Sequence, residues 1–217
     1  ILLKRLMTLL INKDFVCHGI RVTIALPESY DATKTYPAVF LNDGQLDYLG
    51  KLADSVILIG LEPKNRLDDF TPWYAQALRP GSPDFGGKLA SYHDQLFGHI
   101  LNSIQEEFRL DESRMAYGGY SLGGLAAIHS LYSSDKMPFI FSICGSFWYP
   151  DFVDYCKAHQ FINKTCSVYL RNGLTEGANH KNRLSKAPSY AKEVHECIKK
   201  QCLSTYSAFD PYGHHDN

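Results

Sequence analysis

Charge of neither sign dominates this 217-residue sequence, in which 22 Lys and Arg stand against 23 Asp and Glu for a formal net charge of −1. Binding a phosphate backbone requires a basic excess that is missing here, so nucleic acid is not expected as a partner. No apolar run approaches the roughly twenty residues that cross a bilayer. Ile1 to Ile11 is apolar but broken by Lys4 and Arg5 and lacks an A-x-A cleavage site, so it reads as an edge strand and no membrane partner is expected. The six cysteines, Cys17, Cys144, Cys156, Cys166, Cys197 and Cys202, contain no C-x-x-C pair. A chain of this length does not need disulfide staples, and reduced thiols in a cytoplasmic protein fit best, with disulfides the alternative that an even count leaves open. Internal repeats and low-complexity tracts are also missing, which excludes solenoids and disordered linkers.

What is present suits one domain, 1–217. Apolar residues at 45% and charged residues at 21% are close to soluble globular averages, so neither disorder nor a membrane protein is indicated. His18 to Leu26 is dense in β-branched residues and ends at Pro27, whereas Pro37 to Leu41 and Ser55 to Leu61 are short apolar runs of the kind buried on both faces of a parallel sheet. Apolar residues then recur at helical spacing from Leu89 to Phe108, at Leu89, Tyr92, Leu96, Ile100, Ile104 and Phe108. A five-residue strand, Met115 to Gly119, precedes a helix from Leu122 to Tyr132. Phe139 to Cys144, Ser167 to Leu170 and Thr205 to Phe209 read as strands and Tyr190 to Cys202 as a helix. This alternation predicts an α/β layer architecture.

Gly119-Tyr120-Ser121-Leu122-Gly123 matches G-x-S-x-G between a strand and a helix. A serine on so sharp a turn has a strained backbone, and small residues two before and two after it let the chains pass. The turn lifts the hydroxyl clear of the sheet. It also aims the N–H of Leu122 and the positive end of the helix at the place where an oxyanion would form.

A neutral hydroxyl needs a base, and the base a third group to fix its tautomer. Of nine histidines, His180, His195, His214 and His215 are taken as the candidates lying after an acid that itself follows Ser121 by a strand or more. His129 lies eight residues along the serine's own helix, about 12 Å up its axis, and is excluded. His214 sits in a turn-rich loop directly after the last strand, and the preceding Gly213 frees the backbone to turn the ring inward. His215 is the rival. For the acid, Glu176 falls in the loop at the end of the strand from Ser167, where ligands bind in open α/β sheets. Asp210, or a backbone carbonyl in place of an acid, are the alternatives. The second oxyanion donor is expected in Asn42-Asp43-Gly44-Gln45, from the N–H of Gln45.

The segments Leu26 to Asp31, Tyr36-Pro37 through Asp43-Gly44-Gln45, Tyr120 to Gly124, Ser146-Phe147-Trp148 and Gly213-His214 together resemble the esterase family of α/β-hydrolases that includes enterochelin-type siderophore esterases, S-formylglutathione hydrolase and feruloyl esterases. The likeness runs from Leu26 nearly to the end. It implies an α/β-hydrolase fold, a mostly parallel central sheet with helices on both faces. It also implies a Ser121–His214 pair, Glu176 as the acid of a G-x-x-[DE] loop, and Gln45 and Leu122 lining the oxyanion hole. One departure is Tyr212-Gly213, where the family has Gly-Gly before the histidine.

The function expected is a serine esterase acting through an acyl-enzyme on a small, aryl, sugar or siderophore-lactone ester, with no metal and no organic cofactor. In similar members the loop from Arg66 to Trp73 lies beside the pocket. Arg66 would meet an anionic or catecholate group there, and Trp73 and Trp148 would stack on a ring. An acyltransferase using the same serine, and a hydrolase fold retained as a non-catalytic binding protein, are the competing readings.

Overall fold

The computed structural model describes residues 11–214. Among them, the strands are β1 (Ile11–Cys17), β2 (Ile20–Ala25), β3 (Tyr36–Asn42), β4 (Ile57–Glu62), β5 (Tyr74–Ala75), β6 (Phe85–Gly86), β7 (Leu110–Tyr120), β8 (Phe139–Ile143), β9 (Ser167–Gly173) and β10 (Ser204–Asp210). The helices are α1 (Arg66–Asp69), α2 (Leu89–Gln95), α3 (Leu101–Glu107), α4 (Leu122–His129), α5 (Phe152–Ala158) and α6 (Ala187–Lys199). The edge strand expected over Ile1 to Ile11 lies outside the described residues except for Ile11, which opens β1.

Eight of these strands form one sheet in the order β1-β2-β4-β3-β7-β8-β9-β10. The pairs on either side of β2 are antiparallel and all others are parallel. β1 and β2 are joined through His18 and Gly19, whose φ values of 51° and 87° are the positive pair that a tight hairpin turn of type I′ demands.

Alternation along the strands divides the core in two. Ile20, Val22, Ile24, Ala38, Phe40, Ile57, Ile59, Leu61, Met115, Tyr117, Ile140, Val168 and Leu170 face one way and join the helices in a large cluster. Ala25, Leu41 and Leu58 face the other way and pack with Leu46, which lies in a 3₁₀ segment, Leu46–Leu52. In α6, Ala187, Ala191, Val194 and Ile198 are buried at helical spacing while lysines and glutamates face water.

The region from Leu89 to Phe108 is helical with its six periodic apolar residues buried, but α2 and α3 are joined by a π-helical turn, Leu96–Ile100. Tyr92, Leu96, Ile100 and Ile104 are spaced by four. A 3.6-residue turn would drift away from that spacing, and one widened turn keeps the residues on a single face.

Two strands are longer than the sequence pattern predicts. β7 begins at Leu110 because Leu110 pairs with Tyr36 ahead of an irregularity that absorbs the polar residues Asp111 to Arg114. β9 continues through Arg171-Asn172-Gly173, which read as loop, because its polar side chains find partners at the strand end. Among the described residues no helix is long and apolar enough to cross a membrane.

Candidate active site

The C-terminal ends of β3, β7, β8, β9 and β10 converge at one edge of the sheet. Ser121 follows β7 directly and caps α4 with φ 57° and ψ −120°, a conformation that non-glycine residues rarely adopt. Its backbone is held on both sides, since Ser121 N–H donates to the Ile143 carbonyl at 3.0 Å while its own carbonyl accepts from the N–H groups of Leu125 and Ser146, each at 3.0 Å. The hydroxyl lies 3.2 Å from Ser146 Oγ.

The flanking glycines have a visible steric reason. A Cβ on Gly119 or on Gly123 would come within 2.9 Å of Asn42 Cβ. Asn42 is wedged between them, its Nδ2 donating to Tyr117 Oη and to the Gly123 carbonyl, both at 2.9 Å, and its Oδ1 accepting from Tyr92 Oη at 2.7 Å. The end of β3 is thereby fastened to the first turn of α4.

Beyond Asn42 the chain turns through Asp43 and Gly44, with φ of 67° and 69°. The N–H of Gln45 that follows has no hydrogen-bond partner among the described residues. Leu122 N–H opens α4, where first-turn donors have no intrahelical acceptor. These are the two donors that the sequence singles out.

Glu176 is buried at 4% exposure and its Oε1 meets His214 Nδ1. The other carboxylate oxygen accepts from Asn172 Nδ2 at 3.0 Å and from Gly173 N–H at 3.4 Å. Asn172 is oriented in turn by His195, whose Nε2 lies 3.0 Å from Asn172 Oδ1 and whose Nδ1 lies 2.8 Å from Ser207 Oγ. Burial pushes the His195 pKa down to about 4, so the ring is neutral. A carboxylate can only accept, so Asn172 must direct its NH₂ at Glu176 and its oxygen at His195. His195 therefore donates from Nε2 and accepts from Ser207 at Nδ1.

His214 stands over Tyr120, with ring centroids 4.8 Å apart, and the Tyr120 hydroxyl donates to the His214 carbonyl. The rival, His215, lies outside the described residues. Asp210, the alternative acid, is instead in an ion pair with Arg171, whose Nη2 is 3.1 Å from Asp210 Oδ1. Cys144, Glu176 and His214 present ligand atoms within 4.8 Å of one another, close enough to converge on a metal ion. Cys144 itself is fully buried, with φ 48°.

Arg66 opens α1, and its guanidinium spans two parts of the site: Nε donates to Asp43 Oδ1 at 2.7 Å and Nη2 to the Tyr120 carbonyl at 3.3 Å. Trp73 is partly buried, its indole N–H donating to the Pro150 carbonyl at 3.0 Å and its ring packed near Tyr149 and Tyr155. Trp148 is 8% exposed and packs on Phe85 and Tyr149 within the core. Arg66 thus reaches the elbow directly, while the two tryptophans join the aromatic packing beside it.

The sequence assigned no role to Asn42, Tyr120, Cys144 or Asn172, and it offered His195 only as a candidate base, not as the partner of Asn172. The signal available for Asn42 and Asn172 was position: each is a polar residue on the core-facing side of a strand's last turn, where an unpaired amide would be costly.

The family described as "Putative esterase" matches residues 17–216. A relative from Bacillus subtilis, the uncharacterized protein YbbA, is 30% identical over 199 residues, covering 83% of this chain and 78% of its own. An IroE-like serine hydrolase from Shewanella oneidensis superposes with a TM-score of 0.77 at 21% identity, over 91% of this chain and 71% of its own. The siderophore hydrolase EstA from Aspergillus nidulans gives 0.70 at 13% identity, over 90% and 84%. With an eight-stranded, mostly parallel sheet carrying a strained serine at the start of a helix, the chain belongs to this esterase family of the α/β-hydrolase superfamily and is a carboxylic-ester hydrolase.

Proposed function

We propose that the protein hydrolyses a small ester through a Ser121 acyl-enzyme. His214 accepts the serine proton as Oγ attacks the ester carbonyl and then returns it to the departing alcohol. Glu176 holds the ring through Nδ1, which leaves Nε2 for proton transfer. The N–H groups of Gln45 and Leu122 receive the developing oxyanion, and a water activated by His214 releases the acid in the second step. The observation that carries this reading is the pairing of Glu176 with His214 Nδ1, together with a serine held at positive φ at the start of α4.

Arg66 supports a preference for esters with an anionic or catecholate group, such as an aryl ester or a siderophore lactone, because its guanidinium lies over the elbow carbonyl. Trp73 would form the aromatic wall near that group, and the burial of Trp148 suits a supporting position behind it. No step in this reaction calls for an organic cofactor.

Pre-steady-state hydrolysis of a p-nitrophenyl ester tests the proposal. One equivalent of phenolate released in a burst, abolished in Ser121→Ala and in His214→Gln, is the expected result. With an acceptor alcohol added, the acid should remain the product; its replacement by a new ester would assign the chain to acyl transfer. A rate shared by the parent and folded Ser121→Ala would overturn the mechanism and favour a binding protein.

A further inference from the structure

Cys166 immediately precedes β9, and Cys202 lies in the turn after α6, two residues before β10. β9 and β10 are adjacent parallel strands whose pairing starts at Ser167 and Ser204. The two cysteines therefore leave neighbouring strand ends that lie about 4.8 Å apart in a sheet. Their Sγ atoms are 3.5 Å from each other and hydrogen bonded. Cys166 is fully buried, while Cys202 is only partly buried.

Bringing the sulfurs to the bonded distance of about 2.05 Å closes a gap of roughly 1.5 Å, within the reach of side-chain rotation. The hydrogen bond between the thiols also eases loss of the first proton at Cys166.

We propose that Cys166 and Cys202 are a redox-active pair that closes to a disulfide under a disulfide oxidant such as oxidised glutathione, stapling the start of β9 to the end of α6. The partly buried Cys202 sulfur passes its proton to the hydrogen-bonded Cys166 thiolate as it attacks one glutathione sulfur, forming a mixed disulfide, and the expelled glutathione thiolate takes that proton up from Cys166. The Cys166 thiolate then attacks Cys202 Sγ and expels the second. Two protein thiols become one disulfide, and the oxidant leaves as two reduced glutathiones.

The consequence is stability and not control of the reaction. The seven residues of β9 separate the staple from the loop that carries Glu176, a distance of about 20 Å. The bridge joins residues 36 apart in sequence, and the segment it encloses includes Asn172, Glu176 and His195. Closing a loop of that length restricts the unfolded chain enough to raise Tm by about 10 °C in a domain of this size.

The test incubates the reduced full chain with oxidised glutathione, followed by acid quench, alkylation and a non-reducing peptide map. Expected are one link between the Cys166 and Cys202 peptides, loss of two hydrogens in the intact mass, and the rise in Tm. Ester hydrolysis at room temperature should stay within about twofold of the reduced protein. Both thiols recovered alkylated, a glutathione adduct that persists on Cys202, or a link to a different cysteine would overturn the pairing. In Cys202→Ser the link and the rise should both vanish, and a rise that persists would overturn the attribution. A larger change in rate would overturn the separation of staple and site. Because the map needs no turnover, it stands apart from the esterase mechanism.

Discussion

Replacing Asn172 with alanine removes the residue through which His195 fixes Glu176. Two interactions are lost at a position that is 1% exposed. The first is the 3.0 Å bond from Asn172 Nδ2 to a carboxylate oxygen, which as a hydrogen bond to a charged group contributes about 1.5 to 3 kcal/mol. The second is the acceptor for His195 Nε2, whose loss leaves a buried donor unsatisfied at about 1 to 3 kcal/mol. The 3.5 Å approach to the Gly145 carbonyl is at the limit of a hydrogen bond and adds little. The sum is about 4 kcal/mol, near 10 °C in Tm for a domain of this size. Because Glu176 then orients His214 less firmly, kcat should fall about tenfold, equivalent to about 1.4 kcal/mol in the transition state. Urea unfolding followed by tryptophan fluorescence, with kcat on an aryl ester, reads both effects. His195→Gln should cost much less in the Asn172→Ala background than in the parent, since the two share one network. Full additivity, or a loss below about 1 kcal/mol, would mean that Glu176, Asn172 and His195 do not act as one network.

Three further outcomes follow from the same geometry. Gly123→Ala places a Cβ 2.9 Å from Asn42 Cβ, so it should cost about 1 to 3 kcal/mol of stability and most of the esterase activity; an unchanged melting curve and rate would contradict the wedge. The pKa of His195 is depressed on folding, to about 4, so the unfolded state binds the extra proton between that value and its ordinary 6.5. Stability is therefore fully present above about pH 6.5 and lost as pH falls, by about 2 kcal/mol at pH 5, and thermal melts of His195→Gln should lack that part of the slope. Arg66→Leu should raise KM more for esters bearing a carboxylate or catechol than for neutral ones, with equal rises for both meaning that Arg66 serves only to tie Asp43 to the elbow.

The elbow was legible because its requirements are local: a short apolar strand, glycines two residues either side of Ser121, and an apolar helix start. The helical stretch from Leu89 was legible from its spacing, but not its π turn, which depends on where four-residue steps meet a fixed face. The ends of β7 and β9 were not legible, since Asp111 to Arg114 and Arg171-Asn172 carry no apolar signal and are strand only because neighbouring segments supply their partners. Asn172 and His195 lie 23 positions apart and meet only through packing of α6 on the sheet, which no spacing rule reports. The same limit applies to Trp148, whose type suits a stacking surface and whose burial depends on Phe85 and Tyr149 folding over it.

If Ser121 is an activated nucleophile, it should be labelled by a fluorophosphonate probe, read by intact mass. A single adduct on the parent is expected, mapped to Ser121 and absent from a Ser121→Ala variant shown to be folded. A folded parent that takes up no probe, or an adduct that persists in the variant, would contradict that role for Ser121.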